Sequence, residues 1–208
     1  MEKLLHIIAT PRGKESRTLQ VSEAFLEAFK NKHPGWTVEE LDLSKEQLPS
    51  LTVKRVDGKY VLLGGKDLDG ELKEAWEDIV AHIQRFLLAD AYLISTPMWN
   101  FSIPYMLKQY IDIIIQPKYM FRYTKTGVEG LVKNKKMTVI ASRGGEYLSD
   151  EARKLDMQEP YLRAIFGLAG ITDITFIVAQ PMDMGEQIQR QKIQEAQALA
   201  KEAANSLD

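Results

Sequence analysis

Apolar residues fall into short, nearly unbroken runs that alternate with longer stretches in which they recur every third or fourth position. The first pattern predicts buried strands and the second predicts helices with one apolar face. Residues 4–9 form the first run, which ends at Thr10-Pro11-Arg12-Gly13; beyond it Val21, Phe25, Ala28 and Phe29 mark one side of a helix. Strands are then expected over 37–43, 91–95, 137–142 and 173–179, and helices over 71–88, 105–115, 160–168 and 186–204. Strands this apolar need cover on both faces, so the pattern predicts a three-layer α/β fold around a parallel sheet. Right-handed crossovers then impose one reversal in strand order, with ligands bound at the strand C-termini beside it.

Two segments break the alternation. Residues 45–66 carry Pro49, Gly58, Gly64 and Gly65 and read as a long loop, of the kind that covers a site. Residues 120–135, with Thr126-Gly127 near the middle, read as a hairpin. Neither has the composition of a linker, so 1–208 is expected to be a single domain. In the last helix Ile193, Ala196, Ala200, Ala203 and Leu207 form one stripe, which serves packing on the sheet or a contact between subunits.

Composition narrows the class. With 45% hydrophobic and 27% charged residues, the chain is expected to be a soluble globular protein. A net charge of -2, spread along the sequence, provides no field for a nucleic-acid backbone. The cluster Lys133, Lys135 and Lys136 reads as a solvated turn. The absence of cysteine excludes disulfides, thiolate metal sites and thiol nucleophiles, and suits a reducing cytoplasm. No apolar run has the length of a membrane span, and 4–9 is too short for a signal-peptide core, so a cytoplasmic protein without membrane partners is expected.

Three loops at predicted strand ends carry the chemistry. Thr10 to Thr18 is rich in hydroxyls and runs into a helix with Ser16 as its expected cap. Unpaired N–H groups at a helix start, with Thr10, Ser16 and Thr18 beside them, suit a phosphate; a capped helix after a polar loop is the plainer alternative. Neither dinucleotide nor nucleotide-hydrolase glycine motifs are present, which points to a terminal monophosphate. The second loop, Ser95-Thr96-Pro97-Met98-Trp99-Asn100-Phe101-Ser102-Ile103-Pro104, sets an aromatic and an amide between prolines, and is either a turn or a grip for a planar heterocycle. The third, Ser142-Arg143-Gly144-Gly145, has paired glycines that let main-chain amides approach a ligand, or simply turn the chain. His6, His33 and His82 are scattered and assemble neither a metal cage nor a dyad, and His6 reads as a core residue. Asp67-Leu68-Asp69-Gly70 lacks the rest of a calcium loop, and Gly-x-Ser-x-Gly is absent.

Taken together, the Thr-x-Arg-x-x-x-Ser-Arg-Thr cup, Pro97-Met98-Trp99-Asn100-Phe101-x-Ile103-Pro104, Phe121-Arg122-Tyr123-Thr124-x-x-Gly127-x-x-Gly130-Leu131 and Ser142-Arg143-Gly144-Gly145 resemble the FMN-dependent NADH azoreductases, also described as NADH:quinone oxidoreductases. The motifs follow the family order from Lys3 to about Gln180. The resemblance implies a flavodoxin-like three-layer sandwich with a five-stranded parallel sheet in the order 2-1-3-4-5. It implies FMN phosphate on Thr10, Ser16, Arg17 and Thr18, and the isoalloxazine between Met98, Trp99, Asn100, Phe101 and the loop of Ser142, Arg143, Gly144 and Gly145. Phe121 and Tyr123 would line the substrate pocket near a homodimer interface. Some family members have serine at the position of Thr10 and tyrosine at that of Trp99, swaps that keep the hydroxyl and the aromatic face.

The activity so implied is electron transfer from NADH through one FMN per subunit to quinones and aromatic azo compounds, in ping-pong order, with no protein acid, base or nucleophile and no metal. Two other readings stay open. One is a flavodoxin-type electron carrier without enzymatic activity, against which the near-neutral charge speaks. The other is an NADPH-dependent quinone or nitroaromatic reductase of the same fold.

Overall fold

The computed structural model describes residues 2–207. Its elements, in chain order, are β1 (Lys3–Ile8), α1 (Arg17–Lys32), β2 (Thr37–Asp42), α2 (Val53–Leu63), α3 (Gly70–Ala75), α4 (Glu77–Leu87), β3 (Ala91–Pro97) and α5 (Tyr105–Ile114), then β4 (Phe121–Thr124), β5 (Gly127–Gly130), β6 (Lys136–Ser142), α6 (Asp150–Arg153), α7 (Glu159–Ala169), β7 (Asp173–Ala179) and α8 (Glu186–Asn205). The main sheet has the order β2-β1-β3-β6-β7 and all its pairs are parallel. With the β4–β5 hairpin left out of the numbering, this is the expected order 2-1-3-4-5. No helix among the described residues is long and apolar enough to cross a membrane.

Strand alternation sorts the core into two halves. Leu5, Ile7, Tyr92, Ile94, Met137 and Val139 meet Ile79, Ile83 and Phe86 of α4, Leu107 and Ile111 of α5, and Leu162 and Phe166 of α7. Leu4, Leu93, Ile140 and Ile177 meet Val21, Phe25 and Phe29 of α1 together with Ala196, Ala200 and Ala204 of α8. Small residues along α8 let it lie close to α1, so the alanine stripe packs within the chain.

The structure departs from the sequence reading in segment 45–66, which contains α2 and is only partly loop. Gly58 obscures that helix in the sequence, because glycine is a poor helix former. The position requires it: a Cβ there would overlap Nε1 of the buried Trp76. Trp76 also divides the expected helix 71–88, closing α3 and opening α4. Its Nε1 donates to the Arg55 carbonyl at 2.9 Å, and Arg55 donates to the Ala75 and Ser50 carbonyls, each at 2.8 Å. Helix α6, capped by Ser149, is a further element that periodicity did not reveal.

The hairpin lies where expected, with Phe121 opposite Gly130 and Thr124 opposite Gly127. Gly130 runs so close to Gly170 at the end of α7 that any Cβ on it would strike that backbone. The Val132 N–H donates to the Ala169 carbonyl at 2.9 Å, fixing the base of the hairpin to α7.

Candidate functional site

The C-terminal ends of β1, β3, β6 and β7 surround one cavity of about 260 Å³. Its first wall is the segment from Thr10 to Thr18. After β1 the chain makes a single 3₁₀ turn (Gly13–Glu15), then Ser16 caps α1 by accepting from the Leu19 N–H at 3.3 Å. The Arg17 and Thr18 N–H groups come before any acceptor in the helix, so they remain available to an anion. Thr10, Ser16 and Thr18 are buried around them. Thr18 and Ser142 share one hydrogen bond, 2.7 Å between hydroxyl oxygens, so of their two protons one is left for a ligand oxygen. Ser16, whose Oγ accepts from Leu19, likewise keeps its proton.

The loop after β3 forms the second wall. The Met98 N–H donates to the Ser142 carbonyl at 2.9 Å, joining this loop to β6. Trp99 and Ser102 exchange two backbone hydrogen bonds of 2.9 Å across a two-residue turn. In that turn Asn100 (φ 48°) and Phe101 (φ 67°) both take left-handed backbone, which costs non-glycine residues free energy. The surroundings hold it in place, since the Phe101 carbonyl accepts from the Met157 N–H at 2.9 Å.

The third wall follows β6. Arg143 is buried, with Nη1 3.0 Å from Asp156 Oδ2 and Nε donating to Gln158 Oε1 at 3.2 Å. Gln158 in turn donates to the Pro97 carbonyl at 3.0 Å, which ties the second and third walls together. The Gly144 carbonyl accepts from the Met182 and Asp183 N–H groups, closing the site with the segment after β7. Among the described residues no protein acceptor takes the N–H of Gly144 or Gly145. Across the cavity mouth Arg17 Nη1 meets Asp183 Oδ1 at 2.6 Å.

The matches to known proteins agree with this geometry. Residues 2–203 match a family model described as flavodoxin-like fold. The FMN-dependent NADH:quinone oxidoreductase of Nitratidesulfovibrio vulgaris is 39% identical over 87% of this chain and 87% of its own length. That of Coprothermobacter proteolyticus is 37% identical over 97% of this chain and its whole length. This chain belongs to that family. Among solved structures, an azoreductase from Bacillus anthracis superposes with a TM-score of 0.89 at 32% identity, covering 99% of both chains. An FMN-dependent NADH-azoreductase from the same species, in complex with FMN, gives a TM-score of 0.84 at 30% identity, with 99% of this chain and 100% of that one covered.

Of the positions singled out by resemblance to this family, Thr10, Ser16, Arg17, Thr18, Met98, Trp99, Ser142, Arg143 and Gly144 line the cavity. Asn100, Phe101 and Gly145 do not; the first two form the exposed turn beside it. Met98 and Trp99 have their N–H groups engaged within the protein, whereas among the described residues no protein acceptor takes the N–H of Asn100, Phe101, Gly144 or Gly145. The Arg143 guanidinium faces Asp156 and Gln158, which makes it a brace for the third wall. Phe121 and Tyr123 pack edge to face on the hairpin. Tyr123 lines a separate cavity of about 340 Å³ with Leu62, Leu63 and Arg122.

The sequence reading did not include Arg12, Pro97, Met182 or Asp183 among the lining residues. The rule that ligands sit beyond parallel-strand C-termini pointed to Met182 and Asp183, which follow β7 directly, but their residue types carried no motif. His6 is a core residue as expected, and burial pushes its pKa down to about 4, so it is neutral near pH 7. No cluster of metal-ligating side chains occurs among the described residues.

Proposed function

We propose that this chain is an FMN-dependent NADH:quinone oxidoreductase that also reduces aromatic azo compounds. The observation that carries the reading is the donor set of the first wall: two unpaired helix-start N–H groups with buried hydroxyls of Thr10, Ser16, Thr18 and Ser142, all opening into one cavity. Such a set, with amides and hydroxyl protons left over after the Ser16 cap and the Thr18–Ser142 bond, suits a phosphate monoester.

The residues divide the work as follows. Thr10, Ser16, Thr18 and the first amides of α1 hold the FMN phosphate. Trp99 and Phe101, 36% and 48% exposed, are the apolar surface on which the ring lies. The Gly144 and Gly145 N–H groups donate to its polar edge, where oriented dipoles in a partly dry site favour developing negative charge. When bound, FMN supplies two-electron transfer between a nicotinamide and an aromatic acceptor. No side chain need act as acid or base, and the lining residues orient, desolvate and shield.

NADH and the acceptor use the same exposed face beside Trp99 in turn, which makes the kinetics ping-pong. Tyr105, Leu155 and Met157 leave further large apolar side chains exposed around this end of the sheet, and a second copy of the chain covers them in a homodimer. We assign the protein to the cytoplasm, in keeping with its lack of cysteine.

The test is titration of flavin-free protein with FMN and with riboflavin, followed by initial rates of quinone reduction at varied NADH or NADPH. Tight FMN binding, weak riboflavin binding and parallel double-reciprocal lines with NADH are expected. Equal affinity for FMN and riboflavin would remove the phosphate cup, and bound FMN without NADH oxidation would leave an electron carrier.

A further inference from the structure

Beneath the first turns of α1 a line of polar side chains runs across the sheet. His6 Nε2 on β1 lies 2.7 Å from Ser95 Oγ on β3, and Ser95 Oγ lies 2.7 Å from Ser22 Oγ on α1. Ser22 Oγ donates to the Thr18 carbonyl at 3.0 Å. All four residues are at most 2% exposed, so every proton in the line has to be placed within the protein.

Counting those protons fixes the direction of each bond. A carbonyl only accepts, so the Ser22 hydroxyl proton points at Thr18. Ser22 Oγ therefore accepts from Ser95, whose single proton is used there. Ser95 must then accept from His6, so His6 carries its proton on Nε2. The other ring nitrogen, Nδ1, is a bare lone pair without a protein donor. The depressed basicity of the buried ring keeps this neutral tautomer in place near neutrality.

The line ends on the residue from which the cup is built. Thr18 is held through its carbonyl by Ser22 and through its hydroxyl by Ser142, while its own N–H belongs to the free amides of the first helical turn. The height of α1 on the sheet, and with it the projection of those amides into the cavity, is thus set from β1 and β3.

We infer that His6 is a positioning residue for recognition of the cofactor's phosphate, acting through Ser95 and Ser22 on Thr18; this rests on the proposal that the cavity holds FMN. His6 touches no ligand. Its role is to keep the helix-start donors at the spacing a phosphate requires, so its loss should be felt by the phosphate and not by the ring.

The experiment measures dissociation constants of FMN and riboflavin for flavin-free wild type and for His6→Leu, His6→Gln and Ser95→Ala, with thermal melts to confirm folding. His6→Leu and Ser95→Ala should weaken FMN by about tenfold while riboflavin changes by less than about twofold. His6→Gln, which retains a donor near Nε2, should bind FMN within about twofold of wild type. Ser95→Ala removes a single oxygen and provides the result if His6→Leu does not fold. Unchanged FMN affinity, or equal weakening of FMN and riboflavin, would overturn the inference. A wild type that does not distinguish the two flavins would instead overturn the cofactor reading itself. In ¹⁵N NMR the wild-type ring should show protonated Nε2 and unprotonated Nδ1, and the opposite tautomer would also overturn it.

Discussion

The Trp76 indole fills the space that a side chain at Gly58 would need, and its Nε1 donates to the Arg55 carbonyl beside it at 2.9 Å. Gly58→Ala would gain roughly 1 kcal/mol in helix propensity and lose about 1–3 kcal/mol to overpacking against a buried ring. A lower melting temperature and altered tryptophan fluorescence are expected, with FMN affinity unchanged because the contact is remote from the cofactor cavity. A more stable Gly58→Ala protein would contradict the packing.

The Arg143 guanidinium is only 3% exposed and depends on Asp156 for its charge partner. Asp156→Ala leaves that charge buried and unpaired, which costs on the order of 3–5 kcal/mol. Because Arg143 precedes Gly144, chemical denaturation should show a large loss of stability together with weaker binding of both FMN and riboflavin. Loss of FMN alone would place Arg143 on the phosphate instead.

Asp183 brings a carboxylate to the mouth of a cavity built for an anion, and it engages Arg17 at 2.6 Å. Asp183→Asn removes the repulsion and leaves the Arg17 guanidinium, still held by the Gln189 side-chain oxygen, without its charge partner. FMN should bind a few-fold more tightly, by roughly 0.5–1 kcal/mol, at low salt, with the gain shrinking as salt is added and riboflavin unaffected. Weaker FMN binding in this variant would show that the Arg17–Asp183 pair is needed to shape the cup.

Burial holds the His6 ring neutral, lowering its pKa from 6.5 to about 4, with Lys30 adding to the shift and Asp42 opposing it. In the unfolded chain the same ring takes up a proton below about pH 6.5. Its contribution to stability is therefore complete above that pH, declines as pH falls from 6.5 toward 4, and is gone below about 4. The full loss is about 3 kcal/mol. Urea denaturation of wild type and His6→Leu at pH 7 and pH 4.5 should show wild type losing more stability between the two, and parallel losses would exclude His6 as the source.

Much of the architecture could be read from local pattern. Strand β7 was predicted to its observed bounds, 173–179, and the hairpin fell within 120–135, because strand burial and turn composition depend on neighbouring residues. The three loops were legible for the same reason: cap, proline and glycine signals are written where they act. Helix α2 was not, since Gly58 is explained only by a tryptophan on a different element.

By itself, the sequence determined the sheet and its helical layers, the loops at its C-terminal edge and the family to which the chain belongs. Only the tertiary structure decided which groups in those loops are free. It engaged the N–H groups of Met98 and Trp99, turned Arg143 toward Asp156, brought in Asp183, and aligned His6, Ser95 and Ser22 beneath Thr18. The physical reason is that a donor's availability depends on which acceptors lie within about 3 Å of it, and those acceptors come from segments far away in the chain.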